Sequence, residues 1–418
     1  MEIELQMKII KDLIAQRTGK NSVKIEYTKS KEIHAIDELV KKELLSIKNS
    51  EYYLSENIDD FLEKNKIKVL KLPLELDLET KDILKQLTKS SRKLAELKGI
   101  TKTIPNSLIL INALVLQEAK DSSQIESIIT TNDELYKAEI NIGVTSLATK
   151  EVQNYANALK KGFSLITEGK TLSLSFIIEI QKELEKEPTK QGIRKKFGTT
   201  IMNQSTKEIL HIPPQDYEEI VVLLENLEEY INSEDEIDPL IKLAIIHHRF
   251  ENIHPFPDGN GRTGRIINVL YLTLKEMLDL PILYLSSYLI KNKTEYYDLL
   301  KKVSNEDSWE EWILFILRGI EETSIETIER IKKINILMED TKKEMKEKKP
   351  KIYSKDLLEL IFIHPYTKIN FIVEGLKKDR KTVSKILNEL VEINILEEIK
   401  VGREKYFINT ELYNLLKN

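Results

Sequence analysis

Residues His254 to Arg265 read HPFPDGNGRTGR and hold three of the chain's 13 glycines. One histidine, one aspartate, one asparagine and two arginines stand in the same segment. Glycines at 259 and 261 leave successive backbone N–H groups uncovered by Cβ, so a phosphate can approach them closely. Apolar residues then recur at Ile266, Val269, Leu270, Leu274, Met277 and Leu278, the spacing of a helix over Arg262 to Asp279. The nest of amides therefore opens a helix N-terminus, where free N–H groups and the macrodipole favour anions. Arg262 and Arg265 lie three apart in the first turn and can grip successive phosphates bidentately. Asp258 offers hard oxygen ligands for a Mg²⁺ that would bridge those phosphates. His254 has a reference pKa near neutrality, which makes it the natural general base. A base, a metal carboxylate and a polyphosphate cradle specify nucleotidyl or phosphoryl transfer, and the residues alone leave open which phosphorus is attacked. A plain turn would have no use for two arginines and an acid around exposed amides. Phe256 is expected as an inward core anchor for the loop, and His247 and His248 as core and surface groups of the preceding helix.

Several elements must position this loop. A helix is expected from the N-cap Asp238 and Pro239 through Leu240 to about Phe250, leading straight into the motif. Upstream, Thr199 to Met202 and Glu208 to Ile212 read as a hairpin around Asn203-Gln204-Ser205-Thr206, stopped by Pro213-Pro214. Helical periodicity runs from Leu74 to about Glu151, with a strongly apolar stretch from Leu108 to Leu116 that continues through the polar residues Gln117 to Ser127. After Asp307 a long stripe, Ile325, Ile328, Ile331, Ile334 and Met338, ends in TKKEMKEKKPK. That charged block, 341–351, is expected as a solvated connector without apolar anchors.

The 418 residues carry 64 Lys plus Arg against 69 Asp plus Glu, a net charge of −5. Sequence-wide attraction to nucleic acid or anionic lipid is therefore not expected, although a basic module can hide in the average. Zero cysteines exclude disulfides, zinc–thiolate sites and thiol nucleophiles, so the chemistry must use oxygen and nitrogen groups. No apolar run approaches the ~18 residues of a membrane span, and the N-terminus lacks a secretory pattern. A cytoplasmic protein is expected. The expected division is 1–70, of unknown role; 71–150, helical; 151–340, the catalytic core; 341–351, the connector; and 352–418, a separate module. Amphipathic pieces such as His34 to Ile47 occur in the first of these.

The segment 254–265 resembles the signature of the Fic (Fic/Doc) family, H-x-F-x-[D/E]-G-N-G-R-x-x-R, at every fixed position. Phe250 to Ile253, Tyr284-Leu285-Ser286 and Tyr296-Tyr297 extend the resemblance over roughly 70 to 340. It implies an all-α fold with a β-hairpin flap, and transfer of AMP from ATP to a Ser, Thr or Tyr hydroxyl of a target protein. By motif position, His254 would deprotonate the hydroxyl and Asp258 would hold Mg²⁺ on the α- and β-phosphates. Gly259, Asn260, Gly261, Arg262, Thr263, Gly264 and Arg265 would bind the ATP phosphates, and the 199–212 hairpin would align the target by strand addition. Tyr296 and Tyr297 would border the adenosine, or pack as aromatic core.

Ser122-Ser123-Gln124-Ile125-Glu126-Ser127 resembles the inhibitory motif [S/T]-x-x-x-E-[G/N] of Fic proteins with an N-terminal brake (class II), with serine at the final position. Ser122 and Glu126 share a helix face at i and i+4, so the hydroxyl is expected to orient the carboxylate. Glu126 is expected to pair with Arg265 and so deny it to a γ-phosphate. The alternative on local spacing is a surface polar pair.

Residues 352–418 read as helix, turn, helix and wing. A helix starts from Ser354, another runs Ile369 to Leu376, and a third begins at Asp379 and ends near Asn394. Short strands, Leu396 to Lys400 and Lys405 to Ile408, surround Gly402-Arg403. This is a winged helix-turn-helix pattern. Lys377, Lys378, Arg380, Lys381 and Lys385 concentrate positive charge at the start of the recognition helix, while Glu389, Glu392, Glu397 and Glu398 oppose it. DNA and protein both remain as partners for it. The expected function is a Mg²⁺-dependent, autoinhibited protein adenylyltransferase. The alternatives are a DNA-binding regulator with an ATP-sensing core, or an enzyme that removes AMP or transfers another phosphate-containing group. Expected partners are ATP, a target hydroxyl, the protein itself as target, DNA at 352–418 and a second copy in a homodimer; no membrane is expected.

Overall fold

The structure is a computed structural model that describes residues 71–417, except 144, 196–198, 200, 203–208 and 402–403, together with 40, 45–48, 51–54 and 69. Most of 1–70, the Asn203 to Thr206 turn and the Gly402-Arg403 turn lie outside the described residues. In the N-terminal region β1 (Leu45–Lys48) pairs antiparallel with β2 (Glu51–Leu54), Leu45 opposite Leu54.

Helices dominate the rest. Thr80 caps α1 (Lys81–Thr101) and Asn106 caps α2 (Ser107–Ile125), each accepting a hydrogen bond from a first-turn N–H. A capping box at Thr131 and Glu134 starts α3 (Asn132–Glu139). Ser146 caps α4 (Leu147–Thr167) and Ser173 caps α5 (Leu174–Leu184). The expected hairpin is present as β3 (Ile201–Met202) and β4 (Ile209–His211), antiparallel with an irregular register. Then come α6 (Tyr217–Asn232) and α7 (Pro239–Ile253), the latter with Asp238 as N-cap and proline in its first turn as read. The motif helix α8 (Asn260–Leu274) is shorter than its apolar pattern. Glu276 adopts φ 53° and the Met277 N–H returns to the Leu272 carbonyl, so the helix closes there and Met277 and Leu278 pack beyond it.

The two central helices α7 and α8 are buried on all sides, from Leu240 to Ile253 and from Arg262 to Thr273, as helices apolar all round must be. Around them pack α9 (Leu285–Lys291), α10 (Lys293–Glu306) and the 40-residue α11 (Trp309–Lys348). Trp312 on α11 donates its indole N–H to the Ala244 carbonyl (2.8 Å), and α1 lies along α11 with Ser90 bonded to the Leu317 carbonyl (2.7 Å).

The expected connector 341–351 is instead helical as far as Lys348, and Met345 is fully buried. Ile331, Ile334, Met338, Thr341 and Met345 continue one stripe at alternating spacings of three and four, so one methionine and one threonine suffice to seat the helix where it meets the C-terminal elements. Those elements are α12 (Lys355–Ile363), β5 (Tyr366–Lys368), α13 (Ile369–Leu376), α14 (Arg380–Glu392), β6 (Glu397–Val401), β7 (Glu404–Ile408) and α15 (Thr410–Lys417). The three strands form one antiparallel sheet in the order β5-β7-β6. Strand β5 and helix α15 extend the sequence reading. No helix among the described residues is long and apolar enough to cross a membrane.

Candidate active site

Helix α7 ends at Ile253, and His254 takes the cap position with φ 47° and ψ 58°, which turns the chain sharply into the loop. Phe256 is fully buried against Phe250, the anchor expected of it. Asn260 braces the same loop: its Oδ1 accepts from the Phe256 N–H and its Nδ2 donates to the Phe256 carbonyl, both at 2.8 Å. The Asn260 side chain is thus spent on the loop, and what it offers an anion is its main-chain N–H. Gly259 is the N-cap of α8 with φ 79°, a conformation that favours glycine, and no side chain caps the helix. The first amides of α8 therefore face an open cleft lined by Glu126, His254, Asp258, Gly259, Gly261 and Arg262.

Two charged clusters flank those amides. Arg262 is buried among carboxylates, with Glu185 at 2.6 Å, Glu151 at 3.3 Å and Asp258 at 3.5 Å. Asp258 also accepts from the Gly259 N–H (2.7 Å) and meets Lys190 Nζ at 2.9 Å. Burial pushes the Asp258 carboxyl up, but Lys190 and Arg262 outweigh it and hold the group below its ordinary value. A charged, partly exposed oxygen donor beside the amide nest fits a hard divalent cation such as Mg²⁺. Among the described residues no group of three or more acidic or histidine side chains gathers to hold a metal alone, so such an ion would draw its other ligands from phosphate and water.

On the other side, Arg265 donates Nε to Ser122 Oγ (2.7 Å) and Nη2 to the Ser122 carbonyl (3.0 Å) and to Glu126 Oε1 (2.7 Å). Ser122, fully buried, orients the arginine and is not a surface group. Glu126 is the C-cap of α2, and its carboxylate leans on Gly261 so closely that a Cβ there would collide with Oε1. Burial raises the Glu126 carboxyl, yet Arg265, with Arg262 and His254 beyond it, lowers it further than burial lifts it. Glu126 therefore sits as an anion over the anion-binding amides. Ser127 follows at φ 66°, with the Ile128 N–H returning to the Ser123 carbonyl (3.0 Å). That left-handed cap position suits glycine or asparagine, which accounts for the residue types of the inhibitory pattern.

His254 has its pKa lowered to about 4, by burial first and then by Arg194, with Glu126, the Glu251 backbone and Asp258 opposing. It is neutral at pH 7 and competent to accept a proton. Its Nδ1 is buried, which leaves Nε2 for the cleft. His247 and His248 are both buried, lowered to about 3 by desolvation; both are core and neither is a surface group, because α7 is enclosed on every face. Tyr296 is buried with its Oη 3.0 Å from His247 Nε2, and Tyr297 packs beside it. Both start α10 near the Glu126–Arg265 pair, but neither lines the cleft. Thr263 is buried, and Gly264 faces α7, where a Cβ would stand 2.6 Å from Glu251 Oε1.

Glu151, Glu185, Lys190, Arg194 and Gln181 complete the site and were not singled out from the sequence. Gln181 donates to the Lys190 carbonyl (2.8 Å) and accepts from the Gly192 N–H (3.0 Å), holding that segment against Asp258. Gln181 and Glu185 come from the end of α5 and the others from separate segments, and no local pattern marks them among the chain's many charges.

Three family models match the chain in series: Fic/DOC family N-terminal at 84–164, Fic/DOC family at 171–272, and Protein adenylyltransferase SoFic-like, C-terminal domain, at 337–412. The chain carries Fic/DOC family domains and a SoFic-like C-terminal domain. Protein adenylyltransferase Fic of Drosophila mojavensis is 32% identical over 115 residues, 27% of this chain and 21% of that protein. A probable protein adenylyltransferase of Aquifex aeolicus (strain VF5) is 30% identical over 160 residues, 37% of this chain and 44% of that protein. The matched stretch thus spans about a fifth of the fly relative and under half of the bacterial one. A solved Fic family protein from Desulfovibrio desulfuricans G20 superposes with a TM-score of 0.54 at 17% identity, covering 81% of this chain and 98% of that one. The fold of this Fic chain is therefore shared with it.

Proposed function

We propose that this Fic protein transfers AMP from ATP to a Ser, Thr or Tyr hydroxyl of a target protein, and that Glu126 holds the reaction in check. The observation that carries the reading is the Glu126 carboxylate seated between Arg265 and Gly261. A protein anion there stands where a phosphate of a nucleotide would be held. Names of the curated relatives, protein adenylyltransferases, support the choice of AMP among the groups such a cradle can transfer.

With Glu126 withdrawn, Arg265, Arg262 and the α8 amides would bind the phosphates and fix the α-phosphorus in line with the incoming hydroxyl. His254 Nε2 would take the hydroxyl proton, and the hairpin of β3 and β4 would present the target backbone. Asp258 would hold Mg²⁺, which when bound supplies charge neutralisation on the phosphates and the pyrophosphate leaving group. The test is incubation of wild type, Glu126→Gly and Glu126→Gly with His254→Ala with labelled ATP and Mg²⁺, read by intact mass. Glu126→Gly is expected to label itself or targets on the order of 10–100-fold faster, and His254→Ala to abolish labelling. Equal labelling of wild type and Glu126→Gly would remove the brake, and loss of AMP from a pre-modified target would reverse the direction.

The C-terminal elements carry a second role in this reading, as a winged helix. Asp379 caps α14 through the Lys381 and Thr382 N–H groups, and Lys377, Lys378, Arg380, Lys381 and Lys385 are all exposed around that cap. A phosphate backbone fits such a surface. Binding to duplex DNA that weakens steeply with salt would support it, and no binding at low salt would reject it.

A further inference from the structure

We propose that Arg194 is a positioning residue that ties the base of the hairpin flap to the loop carrying His254, so that the general base and a docked target move as one body. It rests on the reading of His254 as the base. Arg194 is 3% exposed, and among the described residues no carboxylate pairs with it. Among the described residues every hydrogen bond that it makes goes to a main-chain carbonyl of the two segments that must be aligned. Its Nε donates to the His254 carbonyl (2.8 Å), and its Nη2 donates to the Ile253 carbonyl (3.4 Å) and to the Pro214 carbonyl. Its own N–H donates to the Pro255 carbonyl (2.9 Å). Pro214 lies just past β4, so one guanidinium spans the end of α7, the motif loop and the hairpin's exit. A planar fork with fixed donor directions can hold two segments at a set angle, which an ammonium cannot.

A buried cation without a counterion is costly, and burial lowers the Arg194 pKa to about 10. The carbonyls at the C-terminal end of α7 offset this, since they present the negative pole of the helix. The charge also bears on the base. The charged groups facing the His254 imidazole are Arg194 from the segment before the flap, Glu126 from the end of α2 and Asp258 from its own loop. Of these only Arg194 favours the neutral ring.

The test uses the full chain and does not depend on transfer. Arg194→Met is expected to raise the His254 titration, read by NMR on labelled histidine and assigned with His254→Ala, by roughly one pH unit. It is also expected to speed amide exchange in the 201–212 hairpin at least tenfold, while α1 and α11 exchange as before. Arg194→Lys keeps a cation without the fork; its expected signature is a fast-exchanging hairpin with an unmoved His254 titration, and it carries the test if the methionine variant does not fold. Unchanged hairpin exchange in either folded variant, or exchange raised equally throughout the chain, would overturn the proposal. In the Glu126→Gly background, Arg194→Met should lower kcat about 10–100-fold with little change in KM for ATP. If Glu126→Gly transfers nothing, the adenylyltransferase reading fails while the titration and exchange still judge Arg194.

Discussion

Ser127 holds a left-handed conformation, φ 66°, directly after Glu126, where a side chain with a Cβ costs about 1 kcal/mol. Ser127→Gly relieves that strain and should tighten the end of α2, lowering basal AMP transfer up to about fivefold and raising the melting temperature. Unchanged basal labelling would show that the cap is not part of the brake. The imidazole of His254 gives a second residue-level expectation. Its lowered pKa of about 4 means that it loses its proton well below neutrality, so the rate of the Glu126→Gly variant should stay level from neutral pH downward and fall only near pH 4. A midpoint near 6.5 would mean that the base is solvated in the reacting state. The same lowering has a stability consequence with a definite sign. The unfolded chain takes up protons on histidine below about pH 6.5, whereas His247, His248 and His254 stay neutral in the fold to about 3, 3 and 4. Stability from these groups is therefore present above about pH 6.5 and is lost as the pH falls through about 4 for His254 and about 3 for His247 and His248.

At the scale of elements, the proposed brake would depend on how α2 is seated. Glu118, two turns before Glu126, is buried and accepts from the Ser286 N–H (3.0 Å), the Ser286 hydroxyl and the Tyr155 hydroxyl (3.1 Å), joining α2 to α9 and α4. Lys293 at the start of α10 donates to the Ile125 carbonyl (2.6 Å) at the helix end. Desolvation pushes Glu118 up to about 7 despite those hydrogen bonds. A raised carboxyl makes the fold most stable when the group is protonated, so its contribution declines as pH rises from about 4.5 to 7. Glu118→Gln should flatten that part of the pH–stability curve in chemical denaturation. Glu118→Ala should cost about 1–3 kcal/mol, because Ser286 and Tyr155 lose a buried partner. A pH dependence that survives Glu118→Gln would assign it to another group.

At the scale of the whole molecule, the C-terminal elements sit against α2 and α3. Gln117 Nε2 donates to the Leu416 carbonyl (2.6 Å) on α15, and Tyr366 Oη donates to Asp133 (2.7 Å). Asn112 has its Oδ1 engaged by Lys160 (2.9 Å), so its Nδ2 faces His364 Nε2 (3.2 Å) on the loop after α12. The helix capped by Glu126 thus packs between the cleft and the C-terminal helices α12 and α15. Tyr366→Phe combined with His364→Ala should weaken this docking, seen as faster proteolysis between α11 and α12 and a rise in basal transfer. Faster proteolysis with unchanged transfer would mean that the docking does not reach the brake.

Much of the site was legible because it is local. Histidine, aspartate, glycines and arginines from 254 to 265 act within one loop and one helical turn, and chain connectivity alone sets their neighbourhood. The Glu126–Arg265 pair was legible because each partner lies in such a local motif, whereas the Ser122 hydroxyl, expected to orient the Glu126 carboxylate, accepts from Arg265 Nε instead. The fold class followed from periodicity and caps such as Asp238-Pro239 and Asp379, which are also local. Where the reading went astray, tertiary contact decided. Met345 turned a charged connector into a seated helix, burial of α7 on every side drew His248 into the core, and the Phe256 backbone took up the Asn260 side chain. Glu185, Glu151, Lys190 and Arg194 gained their roles only when separate elements were brought within hydrogen-bond distance of the motif. Sequence determines which groups a segment can offer, because types and spacing are covalent; packing decides which partner each group meets, because that depends on distances between segments far apart in the chain.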